Sequence, residues 1–270
     1  MKNAITARNF VQISGRGRQP VMFAHGFGCD QNMWRFVAPW FEDRFKVVLF
    51  DHVGCGRSDI GAYKVERYGT LEGYARDIVE IAEAHDLRDI IFVGHSVSSM
   101  IGILAAKMAP ERFAQLILIV PSACYINDAD YVGGFTRVDL EGLLDLMEKN
   151  FVGWASFLAP LVMKNDDQPD LQKELATSFC AADPSIARRF AAVTFLSDHR
   201  TDLNGIAQPT LILQCTDDAI APASAIEFVH RRIPGSTLRL LQATGHCPHM
   251  THPAETTAAI KGYLESRGLA

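Results

Sequence analysis

No apolar run in this sequence reaches the ~18 residues that a membrane-spanning helix needs. A basic excess is missing too. The formal net charge of -5 leaves nothing to neutralise a phosphate backbone, which argues against nucleic acid or an anionic membrane as partner. There is no C-x-x-C pair. Cys29, Cys55, Cys124, Cys180, Cys215 and Cys247 are scattered, a pattern of reduced, mostly buried thiols rather than a disulfide framework. Met1 to Phe10 is polar and mixed and lacks the apolar centre of a signal peptide, so the chain is expected to be cytoplasmic. Repeats and low-complexity tracts are absent as well.

What is present is ordinary globular composition, 48% hydrophobic and 21% charged, in a chain long enough to bury a sizeable core. Short apolar runs alternate with helical patterns, the signature of βαβ units and a parallel sheet. Strands are predicted at Val21–Ala24, Val47–Phe50, Ile90–Val93, Leu116–Val120, Thr210–Gln214 and Thr237–Leu241, with two more within Ala4–Ile13. Helical spacing runs through Leu71–His85, Ser98–Met108 and Pro222–Arg232.

From Cys124 to Thr201 the rhythm changes. This stretch has no strand-like run and four helical ones, Arg137–Asn150, Gly153–Met163, Leu171–Phe179 and Pro184–Leu196. Because strands resume at Thr210, the segment reads as an insertion rather than a separate C-terminal domain. The expected organisation is a core of residues 1–123 and 202–270 with a helical cap at 124–201.

Gly94–His95–Ser96–Val97–Ser98 follows a strand and opens a helix, close to the nucleophile-elbow pattern G-x-S-x-G. A sharp turn there lifts the serine hydroxyl to the head of the helix, where backbone N–H groups stabilise negative charge. Ser98 stands where the second glycine would be and is still small; the bland reading of Ser96 is a helix N-cap. Order argues against that reading, since an acid and then a histidine follow the nucleophile in this arrangement. Asp217 and Asp218 lie beyond one strand and His246 beyond another, so all three groups would meet at the carboxyl edge of the sheet.

Both aspartates are candidates, with Asp218 favoured as deeper in its loop. His249 and His252 are rivals to His246, and H-x-x-H-x-x-H could be read as a metal cluster. Pro248 and Pro253 and the lack of a matching acid motif speak against that, so no metal is expected. His25–Gly26–Phe27–Gly28 can aim the Phe27 N–H at a developing oxyanion, with the Val97 N–H as its partner. Asp51–Ser58 lacks the lysine of a phosphate loop and reads as a structural turn. Cys55 and Cys247 lie on no elbow and read as small buried side chains.

The chain resembles the α/β-hydrolase superfamily, and more narrowly the RsbQ-like stress-signalling hydrolases of bacteria and the plant strigolactone and karrikin receptors. The resemblance rests on His25–Gln31, Gly94–Ser98, Leu213–Asp218 and Gly245–Met250, and in the insertion on Tyr131–Phe135 and Phe195–Arg200. It runs essentially end to end. Ser98 resembles the plant receptors at its position, where the bacterial regulators have glycine. The resemblance implies Asp218 as the acid and a four-helix cap over an apolar pocket. Phe27, His95, Phe135, Trp154, Phe157 and Phe195 are expected to line that pocket, with Phe157 equally readable as core.

The expected chemistry is acyl transfer on a small apolar ester, lactone or related acyl compound, without cofactor or metal. Ser96 attacks, His246 moves the proton and Asp218 holds the imidazole. Serine rather than aspartate at the elbow argues against dehalogenase and epoxide-hydrolase chemistry; a carbon–carbon bond hydrolase could use the same serine. The resemblance also implies a signalling alternative, in which ligand binding or slow hydrolysis controls docking to a protein such as a phosphatase with a sensor domain.

Overall fold

The computed structural model describes residues 2–269. Among them, seven strands form one sheet in the order β1-β3-β2-β4-β5-β6-β7. Their ranges are β1 Gln12–Ser14, β2 Pro20–Ala24, β3 Lys46–Leu49, β4 Ile90–His95, β5 Phe113–Ile119, β6 Thr210–Asp217 and β7 Thr237–Thr244. All neighbours run parallel except β1, which pairs antiparallel with β3. The apolar runs of β2 and β4 are buried along their whole length, as expected of interior parallel strands covered on both faces. β1 is exposed and sits at the edge.

The flanking helices are α1 Lys2–Arg8, α2 Val65–Tyr68, α3 Leu71–Ala84, α4 Val97–Met108, α9 Ala223–Arg232, α10 Pro248–Thr251 and α11 Pro253–Ser266. Between β5 and β6 come four more: α5 Arg137–Lys149, α6 Phe151–Met163, α7 Pro169–Ala181 and α8 Pro184–Phe195. Several of their starts are capped by sequence. Thr136 and Asp139 form a capping box on α5, Asn150 caps α6 and Asp183 caps α8. The Asn150 cap also lets α6 begin directly after α5.

One predicted feature is overturned. Ala4–Ile13 does not hold two strands; it holds α1 and then the single strand β1. Tertiary contacts favour the helix, because Arg8 at its end reaches Glu80 at 2.5 Å and Asp77 at 3.1 Å on α3. All six cysteines are free thiols, and only Cys180 is exposed. No helix among the described residues is long and apolar enough to cross a membrane.

Candidate active site

Ser96 occupies the turn between β4 and α4 with φ 55° and ψ −122°, a conformation that costs a non-glycine residue about 1–3 kcal/mol. Close packing forces the turn to be tight: a Cβ on Gly94 would fall 2.5 Å from the Ser98 carbonyl oxygen. The hydroxyl is thereby held at the N-terminus of α4, and the Ser96 N–H is anchored to the Ile119 carbonyl on β5 at 2.9 Å.

The loops after β6 and β7 bring the other two groups to it. The Gly245 N–H donates to the Asp217 carbonyl at 2.8 Å, which ties the two loops together. The His246 N–H donates to the Val162 carbonyl at the end of α6 at 2.7 Å. With its backbone fixed on both sides, His246 places Nε2 2.7 Å from Ser96 Oγ and Nδ1 2.7 Å from Asp218 Oδ2. All three side chains are shielded from solvent.

Burial by itself would raise the Asp218 pKa. The facing His246 and the N–H groups of Ile220 and Ala221, donating at 2.8 and 3.1 Å, outweigh it and hold the carboxyl below its ordinary range. Asp217, the other candidate acid, points away and pairs with Lys164.

The rival histidines go elsewhere. His249 is fully buried, its ring tilted against Trp34 at 4.6 Å and against His95 at 4.4 Å between centroids, and burial pushes its pKa down to about 3. His252 bonds Thr251. No three His, Cys, Asp or Glu side chains among the described residues are grouped to hold a metal ion. Asp51 in the Asp51–Ser58 loop accepts the Gln31 and Arg57 N–H groups, each at 2.8 Å, as a structural turn would require.

A small cavity of about 30 Å³ lies against Ser96, lined by Phe27, Leu158, Val162, Phe179, Phe195 and Ile220 among others, and by His95 and His246. That is room for a water or two. Phe27 is the centre of its roof, with ring centroids 5.6 Å from Phe190, 5.7 Å from Phe195 and 6.1 Å from both Trp154 and Phe179. Phe27, His95 and Phe195 face the cavity, while Trp154 backs it by packing on Phe27 instead of lining it.

Phe135 and Phe157 are corrections. They border a separate outer depression, which shares only Leu158 and Ile220 with the cavity. Phe135 lies in the connection before α5, bridged to Ile126, and for Phe157 the reason is helical phase. On α6, Trp154, Leu158 and Val162 recur every fourth residue on the inner face, and Phe157 falls outside it with 54% of its surface exposed.

Sequence reading missed Tyr125, whose buried hydroxyl lies 3.4 Å from Ser96 Oγ and whose pKa is pushed up by burial. A tyrosine in an irregular connection carries no local signal of this. His95 also holds the site from below, its Nε2 donating to the His246 carbonyl at 2.7 Å. The N–H groups of Phe27 and Val97 have no protein acceptor among the described residues, Val97 because it opens a helix.

A family profile describing the α/β hydrolase fold matches residues 19–253. The karrikin insensitive 2 receptor CA of Petunia hybrida is 38% identical over 244 residues, covering 90% of each chain. The strigolactone esterase D14 of Arabidopsis thaliana is 35% identical over 263 residues, covering 97% of this chain and 98% of the relative. Among solved structures, a hydrolase from Oleispira antarctica superposes with a TM-score of 0.95 at 45% identity, covering 98% of this chain and 97% of the other.

Proposed function

Because the chain belongs to the α/β-hydrolase family, we propose that it cleaves small apolar esters, lactones or related acyl compounds through an acyl-enzyme on Ser96. Relatives named as esterases and a similar structure named as a hydrolase support that reading. The observation that carries the finer reading is the continuous chain Ser96 Oγ, His246 Nε2, His246 Nδ1, Asp218 Oδ2, with both contacts at 2.7 Å.

In this reading His246 takes the Ser96 proton as Oγ attacks the carbonyl carbon, and the electron pair of the C=O moves onto its oxygen. The N–H groups of Phe27 and Val97 receive that oxyanion. As the tetrahedral species collapses, His246 returns the proton to the departing alcohol oxygen. Water then adds to the acyl carbon as His246 takes its proton, and collapse breaks the bond to Ser96 Oγ, which receives that proton as the acid leaves. Asp218 keeps Nδ1–H in place, so Nε2 is free to accept. Residues 124–201 act as a cap over the core of 1–123 and 202–270, and Phe27, Phe195, Leu158 and Val162 make the cavity a site for an apolar group.

A second reading, a signalling role in which the acyl group or ligand is held under the cap while a protein partner docks, is favoured by one observation: the cavity is too small for a substrate until its walls move. The names of the relatives include both receptors and esterases.

The test is hydrolysis of a short-chain p-nitrophenyl ester, followed through many turnovers for the wild type and Ser96→Ala. Steady, Ser96-dependent turnover supports the metabolic reading. A Ser96-dependent burst that stalls supports the signalling one. Equal rates in both proteins would remove the acyl-enzyme.

A further inference from the structure

The two N–H groups assigned to the oxyanion come from different parts of the fold, Phe27 from the loop after β2 and Val97 from the first turn of α4. Their spacing must be set by something that spans both. The peptide joining Gly26 to Phe27 is planar, so the direction of the Gly26 carbonyl dictates the direction of the Phe27 N–H. That carbonyl accepts from His25 Nδ1–H at 2.8 Å. The tautomer is fixed because His25 Nε2 accepts the His52 N–H at 3.0 Å.

Ser98 completes the arrangement. Its hydroxyl donates to the His25 carbonyl at 2.5 Å, and having one proton it must accept from His52 Nε2–H at 2.7 Å. His25, His52 and Ser98 are all fully buried. Ser98 is the chain neighbour of Val97 on α4, so a single buried hydroxyl links the helix that carries one donor to the loop that carries the other. Glycine at this position would leave the His25 carbonyl and the His52 Nε2–H without these partners.

We infer that Ser98, held by His52, is a positioning residue that sets the Phe27 and Val97 N–H groups at the spacing an oxyanion needs. This rests on the acyl-transfer reading above. Ser98 touches no reacting atom; its effect passes through the His25–Phe27 backbone, so it bears on the tetrahedral species and not on the bound substrate.

The experiment uses the whole chain. Wild type, Ser98→Ala and Ser98→Gly are compared for kcat and KM on p-nitrophenyl acetate, and for inhibition by butylboronic acid, which forms a tetrahedral adduct on a serine. The expected result is a fall in kcat of about tenfold or more with KM within about twofold, since donor placement is worth up to about 10²–10³ in rate. Affinity for the boronic acid should weaken by a matching factor. His52→Gln, which can still present an N–H to Ser98, should lose less than His52→Leu; this pair carries the test if the Ser98 variants do not fold.

Unchanged kcat and boronic acid affinity, or a loss confined to KM or to melting temperature, would overturn the positioning role. Wild-type activity that survives Ser96→Ala would instead overturn the acyl-transfer reading, and it is seen before any Ser98 variant is measured.

Discussion

Asp218 Oδ2 lies 2.7 Å from His246 Nδ1, while the preceding residue, Asp217, turns out of the site to Lys164. Two adjacent carboxylates at the end of one strand therefore have opposite surroundings. Asp218→Asn is expected to lower kcat on a p-nitrophenyl ester by roughly 10²–10⁴, since the imidazole loses the partner that fixes its tautomer. Asp217→Asn should stay within about threefold of wild type, because exposed ion pairs contribute little. Comparable losses in both variants would refute the assignment.

Leu158, with Ile220, separates the cavity at Ser96 from the outer depression bordered by Phe135 and Phe157. Leu158→Ala should join the two. The expected result is a several-fold rise in kcat/KM for a bulky ester relative to p-nitrophenyl acetate, with a stability loss of about 2–5 kcal/mol for a buried leucine. An unchanged substrate ratio in a folded variant would show that the cavity opens elsewhere.

Gly28 adopts φ +70°, and a Cβ there would fall 2.2 Å from the Phe179 ring on α7. Gly28→Ala thus meets both a backbone penalty and a clash, at the residue after Phe27. It is expected to lower the melting temperature by several degrees, at about 1–3 kcal/mol, and to reduce kcat. Thermal unfolding with wild-type midpoint would show that α7 can move away freely.

Asp77 is completely buried and faces Arg8, Arg67, the Tyr68 hydroxyl and Asn9. Burial pushes its carboxyl above the usual range despite both guanidinium groups. Asp77→Ala removes the central acceptor and leaves the two arginines Glu80 as their shared carboxylate, so a loss of about 3–5 kcal/mol in urea unfolding is expected. A loss below about 1 kcal/mol would mean the arginines relax into solvent.

Acid should destabilise the fold before it protonates most carboxylates. His25, His52, His95 and His249 are held below their ordinary 6.5, in each case first by burial. Below 6.5 the unfolded chain takes up protons that the folded chain refuses, so stability falls as pH drops. For His249 the window runs from 6.5 to about 3, with a slope of about 1.4 kcal/mol per pH unit while it lasts. Asp77, whose pKa is raised, acts in the opposite sense above 3.8. Urea midpoints at pH 7, 6 and 5 should decline, and less steeply in His249→Phe, which also removes two buried nitrogens without partners. A flat profile would contradict the buried neutral state.

The interior strands of the sheet and the chain order of Ser96, Asp218 and His246 are legible in the sequence. Runs such as Ile90–Val93 and Thr210–Gln214 are local signals, because a buried parallel strand must be apolar throughout. Gly94–Ser98 is equally local, since tight turns admit few residue types. Long-range packing puts Phe135 and Phe157 outside the cavity, brings Tyr125 to Ser96, bonds Ser98 across to His25 and His52, and turns Asp217 away to Lys164. It also turned Lys2–Arg8 into a helix. Each of these depends on groups far apart in the chain, and on the phase of helices packed against one another. A change of one residue in helical phase turns a side chain by about 100°, from the cavity to solvent, while composition and spacing read almost the same.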